Sequence, residues 1–438
     1  MQPRPCTCTP MCELRTTNPM RLRQSRRADP TFAAASVFRT ADPSANDLAG
    51  RLTRYAVLAH EPSVPIVAAD YWLHSEPFYL DVMGGLGSVV TGEPEVESAL
   101  ARLVRQPDDT AAERRFENRL RSLLDRRPDL GGQVEGALDA ADDNVYIHYF
   151  HGSGCESTAS PVELDDVWQR AKSTQRPEPD RSGEIHVVIP LMDRTGTGRV
   201  RNLVACLLAL RDQSPSAPLH QVTVVEYDTH PRWRHVIEPM VDRYIHVHGT
   251  GRFNKSWTVN VGVCQTRAPA RLLCLLDADM VVDRDFLERN RARFDDPGHD
   301  AHLPHTECLS LDVTSTHRVI AQRCLAGEPE APLPMSRGLL LRDAPGGCLW
   351  IRSELFHRIG GFDERYAGWG GEDEDMIVRT SAAGATVQYD DVMVHLAHER
   401  PPMRRGDGEP FNAHVPVGTW TGESGYGSLT GPATAGTS

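Results

Sequence analysis

The chain has 438 residues, room for about two or three domains, and apolar residues make up 40% of it, so a folded core is expected and wholesale disorder is excluded. No apolar run reaches the ~18–20 residues of a membrane-spanning helix, which predicts a soluble cytoplasmic protein with no transmembrane segment. A formal charge of −13, from 47 basic and 60 acidic residues, argues against nucleic acid as a partner, because phosphate neutralisation needs a basic surface.

Residues 1–30 are rich in arginine, poor in acids and contain Cys6, Cys8 and Cys12. They read as a disordered leader, because the cysteine cluster has no fourth ligand close by and the segment has no apolar stretch of a signal peptide. Only Lys172 and Lys255 are lysines, an arginine skew that reads as the nucleotide bias of a GC-rich bacterial genome. The remaining cysteines are scattered, as expected of reduced thiols.

Residues 31–170 form a mixed accessory region with no legible chemistry. Apolar spacing predicts helices over 46–61 and 108–127; in the second, Phe116, Leu120, Leu123 and Leu124 share one face. Residues 171–183, polar and with two prolines, read as a linker. A strand at Ile185–Ile189, a helix at 199–212, strands at Val222–Val225 and Arg271–Leu276, and a helix at Ser256–Gln265 then alternate. That alternation predicts an α/β domain over 184–415, with a mostly parallel sheet flanked by helices. Residues 416–438, rich in Gly, Ser and Thr, read as a disordered tail.

Three constellations carry chemistry. Asp277-Ala278-Asp279 closes an apolar strand, and residues two apart on a strand share a face, so both carboxylates can meet one hard cation. The motif alone is weak: 60 acids in 438 residues give about eight acid-x-acid triplets by chance. Its place at the carboxyl end of a parallel strand is what raises it. Trp369-Gly370-Gly371 is a turn that lets backbone and a large ring approach a ligand, and Glu372, Asp373, Glu374 and Asp375 follow at a helix start. Acids there also complement the helix dipole, which is the purely structural alternative. His395 and His398 follow an apolar strand end and offer imidazole to the same metal. A separate zinc site at His302, His305, Glu307 and Cys308 is a weaker alternative, given the four ligands zinc demands.

The order IPLMDR, FNK with NVG, DAD, GG, WGGED and a histidine resembles metal-dependent GT-A glycosyltransferases. It is most similar to the beta-1,4-galactosyltransferase-like group and chondroitin-polymerase-type enzymes, over about residues 184–400. The resemblance implies a GT-A (Rossmann-like) fold and an Mn²⁺ or Mg²⁺ cofactor. It also implies transfer of a hexose or N-acetylhexosamine from a UDP-sugar to a hydroxyl acceptor, such as a glycan, a lipid-linked sugar or a small metabolite. Pro190, Arg194, Glu226, Asn254, Lys255, Asp277, Gly347 and Trp369 would contact the nucleotide sugar. Phe253, Asn260 and Gly262 match the FNK and NVG segments. Asp277, Asp279 and His395 or His398 would hold the metal, Glu372 would hold sugar hydroxyls, and Asp373 would be the general base of an inverting displacement. A non-catalytic nucleotide-sugar or glycan binder and a retaining transferase on the same fold are the alternatives. The strand end Glu226-Tyr227-Asp228 departs from the double aspartate common in the family.

Overall fold

The computed structural model describes Phe38, Ala41, and residues 47–155, 158–174, 183–266, 269–400, 403–423 and 425–432. The leader 1–30 with its three cysteines lies outside the described residues, as does most of the linker.

The accessory region is helical from Leu48 to Asn144, before the strand at Ile147–His151. Helices α1 (Leu48–Ala59), α2 (Ala69–Val90), α3 (Pro94–Arg105), α4 (Thr110–Arg126) and α5 (Pro128–Asn144) pack around Leu52, Tyr79, Leu86, Phe116, Leu120 and Leu138. Local signals set their starts. Asp47 caps α1 by accepting from Gly50 N, Asp109 caps α4 by accepting from Ala111 N and Ala112 N, and prolines open α3 and α5. The aromatic run Tyr71, Trp72, Phe78 and Tyr79 lies in α2, a helix of 22 residues.

Two sheets follow. The larger has the order β11 (Thr386–Gln388), β7 (Ala301–Leu303), β10 (Cys348–Arg352), β5 (Leu272–Leu276), β2 (Ile185–Leu191), β3 (His220–Asp228) and β4 (Arg243–His248). Its β5-β2-β3-β4 half is parallel, and β10 runs antiparallel between β5 and β7. The smaller has the order β1 (Ile147–His151), β9 (Arg337–Arg342), β8 (Glu307–Leu311), β12 (Met393–His395) and β6 (Met280–Val281). Helix α7 (Gly198–Arg211), expected to bury one face, is buried nearly all round, from Val200 through Leu210 with only Arg201 half-exposed. Helix α8 (Lys255–Cys264) lies against β2 and β3, so closely that a Cβ on Gly262 would come within 2.4 Å of Val188 Cγ1.

The structure moves two boundaries. The accessory region is not a separate unit, because β1 pairs antiparallel with β9, and Val167 and Ala171 of α6 (Leu164–Ser173) join the core that holds Ile185 and Leu203. Residues 171–173 end that helix rather than open a linker. These apolar residues are buried against the downstream sheet, a long-range pairing that periodicity within 31–170 does not reveal. The tail expected to be disordered from 416 is fastened to the domain as far as Ser428. Trp420 is buried and donates through Nε1 to Gly360 O, Gly427 N donates to Glu364, and Ser428 O accepts from Trp257 Nε1. Composition missed it because one tryptophan and a few backbone bonds anchor an otherwise polar segment. Among the described residues no helix is long and apolar enough to cross a membrane.

Candidate active site

The Asp277-Ala278-Asp279 turn is where the chain passes from one sheet to the other: β5 ends at Leu276 in the larger sheet and β6 starts at Met280 in the smaller. The two carboxylates therefore do not share a strand face, and they part. Asp277 pairs with Lys255, its oxygens 2.9 and 3.1 Å from Nζ. Asp279 meets both histidines, 3.3 Å from His395 Nε2 and 2.9 Å from His398 Nε2. Register explains this meeting: β12 pairs antiparallel with β6 so that His395 lies opposite Met280, and Leu396 N donates to Asp279 O.

Among the described residues, Asp279, His395 and His398 are the group that offers three ligand atoms within 4.8 Å of one another. Asp277, expected as a second metal ligand, is outside that group, and both histidines, expected as alternatives, are in it. The electrostatics suit a cation. Burial opposes charge on Asp279, yet His395 and His398 hold its carboxyl far below the usual range. Burial lowers His395 to about 3, against the pull of Asp279, so the imidazole is neutral and able to ligate. His395 Nδ1 is buried without a partner.

Lys255 joins this turn to the WGGED block. Its Nζ lies 3.0 and 2.9 Å from the two oxygens of Asp373 while holding Asp277. Burial disfavours the ammonium, but Asp277, Asp373 and Glu372 outweigh it and raise the Lys255 pKa well above its ordinary value. Burial raises Asp277, against the opposing pull of Lys255. Lys255 and its two carboxylates are part-buried and share one ammonium, so the three side chains form one unit. A small cavity is lined by Pro190, Lys255, Asp277, Gly346, Gly347 and Asp373, which brings five of the expected side chains or backbone positions together. Gly346 is there for want of space: a Cβ would stand 2.5 Å from Asp373 Oδ2.

Helix α9 (Glu372–Ala383) begins at Gly371, whose φ of 95° is left-handed. Its four leading acids divide. Asp375 is structural, buried against Arg379 at 2.8 Å and accepting from Gly418 N. Glu372 keeps Oε2 buried without a partner. The helix dipole is worth about 0.3–1 kcal/mol to an acid here, less than one pKa unit. Burial and the neighbouring Asp373 overwhelm it and push the Glu372 carboxyl from 4.5 up to about 7. The folded chain thus keeps a proton that the unfolded chain loses near 4.5. That contribution to stability is full below about pH 4.5 and is lost as pH rises through about 7. In Glu372→Gln the fall in Tm between about pH 5 and 8 is expected to be smaller than in the parent. Equal falls in thermal unfolding curves would refute the buried proton.

Other expected contacts have structural roles. Glu226 is fully buried and accepts from Trp233 N at 3.1 Å and from the Tyr244 hydroxyl. Arg194 donates to the carbonyls of Gly249 and Gly251 and lies 3.4 Å from Asp228. Asn254 caps α8 by accepting from Trp257 N and donates to Glu364 O. Asn260 clamps Phe362 through both amide atoms, and Phe253 packs against Tyr227. No hydrogen bond or ion pair among the described residues links the side chains of Arg194, Glu226 or Asn254 to the Asp277–Lys255–Asp373 unit. Trp369 is half-exposed on the turn before α9. The weaker zinc alternative is not assembled. His302 is buried between His299 and Asn290 at 2.7 and 2.8 Å and stacks on Trp350. Sequence reasoning missed Asn412, which binds the Trp369 turn from the supposed fringe of the domain. A lone Asn in a loop gives no signal.

Comparison with known proteins matches the same residues. Glycosyl transferase family 2 is matched over residues 187–360, and a family described as "N-terminal domain of galactosyltransferase" over 341–407. Beta-1,4-galactosyltransferase 2 of Mus musculus is 27% identical over 195 residues, 41% of this chain and 45% of that protein. The Cricetulus griseus protein of that name is 28% identical, over 37% of this chain and 39% of its own length. The chain thus spans less than half the length of these curated relatives. Among solved structures, the catalytic domain of Drosophila beta1,4galactosyltransferase 7 in complex with xylobiose is 17% identical, covering 50% of this chain and 75% of that one with a TM-score of 0.29. Mannosyltransferase PcManGT from Pyrobaculum calidifontis, in complex with GDP-Man and Mn²⁺, is 17% identical, covering 55% of this chain and 66% of that one with a TM-score of 0.33. The sheet crossing at Asp277–Asp279 and the WGGED helix start thus lie inside residues 187–407, the part of the chain that is similar to family 2 glycosyltransferases and galactosyltransferases.

Proposed function

We propose that this chain transfers a hexose or N-acetylhexosamine from a UDP-sugar to a hydroxyl acceptor by a single inverting displacement. The observation that carries the reading is the Lys255 bridge, which puts Asp373 beside the turn whose Asp279 meets two histidines. A carboxylate with two imidazoles, one of them with a buried partnerless nitrogen, fits a divalent transition ion such as Mn²⁺ better than Mg²⁺, which takes oxygen ligands. Held by Asp279, His395 and His398, such an ion supplies Lewis acidity toward the departing diphosphate.

The chain's own residues do the rest. Asp373 accepts the proton of the acceptor hydroxyl as that oxygen attacks the anomeric carbon from the face opposite the diphosphate. Lys255, held within 2.9 Å of Asp373, supports the carboxylate and offers a positive charge toward the pyrophosphate. Glu372, with its partnerless Oε2, is placed to bind a sugar hydroxyl, and the half-exposed Trp369 offers a ring for a sugar face.

The test is turnover of a panel of UDP-hexoses and UDP-N-acetylhexosamines with Mn²⁺ and simple sugar acceptors, followed by UDP release and by NMR of the product. A β-linked product from an α-linked donor is expected. An α-linked product would contradict the base assigned to Asp373.

A further inference from the structure

The turn at 367–371 is poorly equipped to hold its own shape. Gly368, Gly370 and Gly371 have φ of +88°, +88° and +95°, and glycine has the most conformational freedom to lose on ordering. A buried side chain from outside the turn holds it. Asn412, 7% exposed, donates through Nδ2 to Gly370 O at 2.8 Å and to Trp369 O at 3.3 Å, and accepts through Oδ1 from Ala367 N at 3.1 Å. Its neighbour Phe411 packs beneath the Arg252 guanidinium, 4.5 Å from the ring centre, and Gly368 N donates to Phe253 O. The segment around Asn412 is thereby fastened to the chain that leads into Lys255.

We infer that Asn412 is a positioning residue for the acceptor side of the reaction. It fixes the Trp369 ring and, through Gly370 and Gly371, the start of the helix that carries Glu372 and Asp373. The inference rests on the reading of Trp369 as a sugar-binding ring and assigns that ring the acceptor sugar, where the resemblance implied the nucleotide sugar. Its chemistry is specific to an amide, because one planar group must both donate to two carbonyls and accept from an N–H. Aspartate keeps only the acceptor, and alanine keeps neither.

Hydrogen exchange and steady-state kinetics on the full chain test this with Asn412→Ala and Asn412→Asp. Asn412→Asp retains side-chain volume, should Asn412→Ala fail to fold. Amides of 367–371 are expected to exchange about tenfold faster in both variants, with β5 unchanged. The acceptor KM is expected to rise roughly 10- to 100-fold while the donor KM stays within about twofold. Unchanged exchange at the turn would overturn the inference. So would a parallel rise in both KM values with a lowered Tm, the mark of a merely structural residue. Trp369→Ala separates the two readings. If it raises the acceptor KM and the Asn412 variants do not, the inference falls and the proposed function stands. If it leaves the acceptor KM unchanged, the role given to Trp369 falls, and the acceptor-side inference falls with it.

Discussion

Asp373→Asn is expected to lower kcat by ~10²–10⁴, the ordinary worth of a positioned general base, while the donor KM stays close to that of the parent. The substitution keeps the shape of the side chain and removes its basicity. Lys255 retains Asp277 at 2.9 Å, so no buried charge is stranded and the fold is expected to survive. Gly346 leaves room for the side chain and nothing larger, so the amide will occupy the same place. Steady-state kinetics with UDP release as the readout, together with a donor-binding titration, checks both halves. A kcat within about threefold of the parent would remove Asp373 from the chemistry.

The second large effect concerns the cation. Asp279→Ala is expected to weaken Mn²⁺ binding by more than the roughly 10–100-fold seen when only an outer-shell partner of a metal is lost. Both histidines lie within 3.3 Å of this carboxylate, so His395→Ala and His398→Ala are each expected to weaken binding as well. Asp277→Asn is expected to do so less, because its carboxylate is engaged by Lys255. Calorimetric titration of Mn²⁺ into each variant in the presence of UDP gives the comparison. Parental affinity in Asp279→Ala would contradict the assignment.

Three strands of the parallel half of the large sheet were legible in the sequence because they are short apolar runs with helical spacing between them, whereas β4, which alternates polar and apolar residues in Arg243–His248, was not. Ile185–Leu191 and Leu272–Leu276 emerge within two residues of where composition puts them. The chemistry-bearing residues were legible for a different reason. Asp277, Asp279, His395 and His398 stand at or just past the ends of apolar runs, where sheets present side chains to ligands, and Asp373 stands at a helix start behind a glycine turn. How these residues divide the work was not legible. Period-two reasoning put Asp277 and Asp279 on one face, but the chain turns there from one sheet to another, and each carboxylate finds its own partners. Lys255 could be matched to a motif, yet its bridge between Asp277 and Asp373 spans 118 residues of sequence and leaves no local trace. The same is true of β1, whose partner strand is β9, and of Trp420, which anchors a segment that composition alone assigns to disorder.

The residues that the resemblance implies as nucleotide-sugar contacts lie in different surroundings, and burial separates them. Pro190, Lys255, Asp277, Gly347 and Asp373 line one cavity. Glu226 and Asn254 are buried with their hydrogen-bonding groups taken up by Trp233, Tyr244, Trp257 and Glu364. A buried, satisfied polar group stabilises the fold whatever motif it belongs to, and spacing does not separate that role from ligand binding.

The most direct test of the account is sugar transfer by the chain after chelation. Transfer from a UDP-sugar, followed as UDP release, is expected to stop in excess EDTA and to return when Mn²⁺ is added back to the parent but not to Asp279→Ala. Undiminished turnover in EDTA would contradict it.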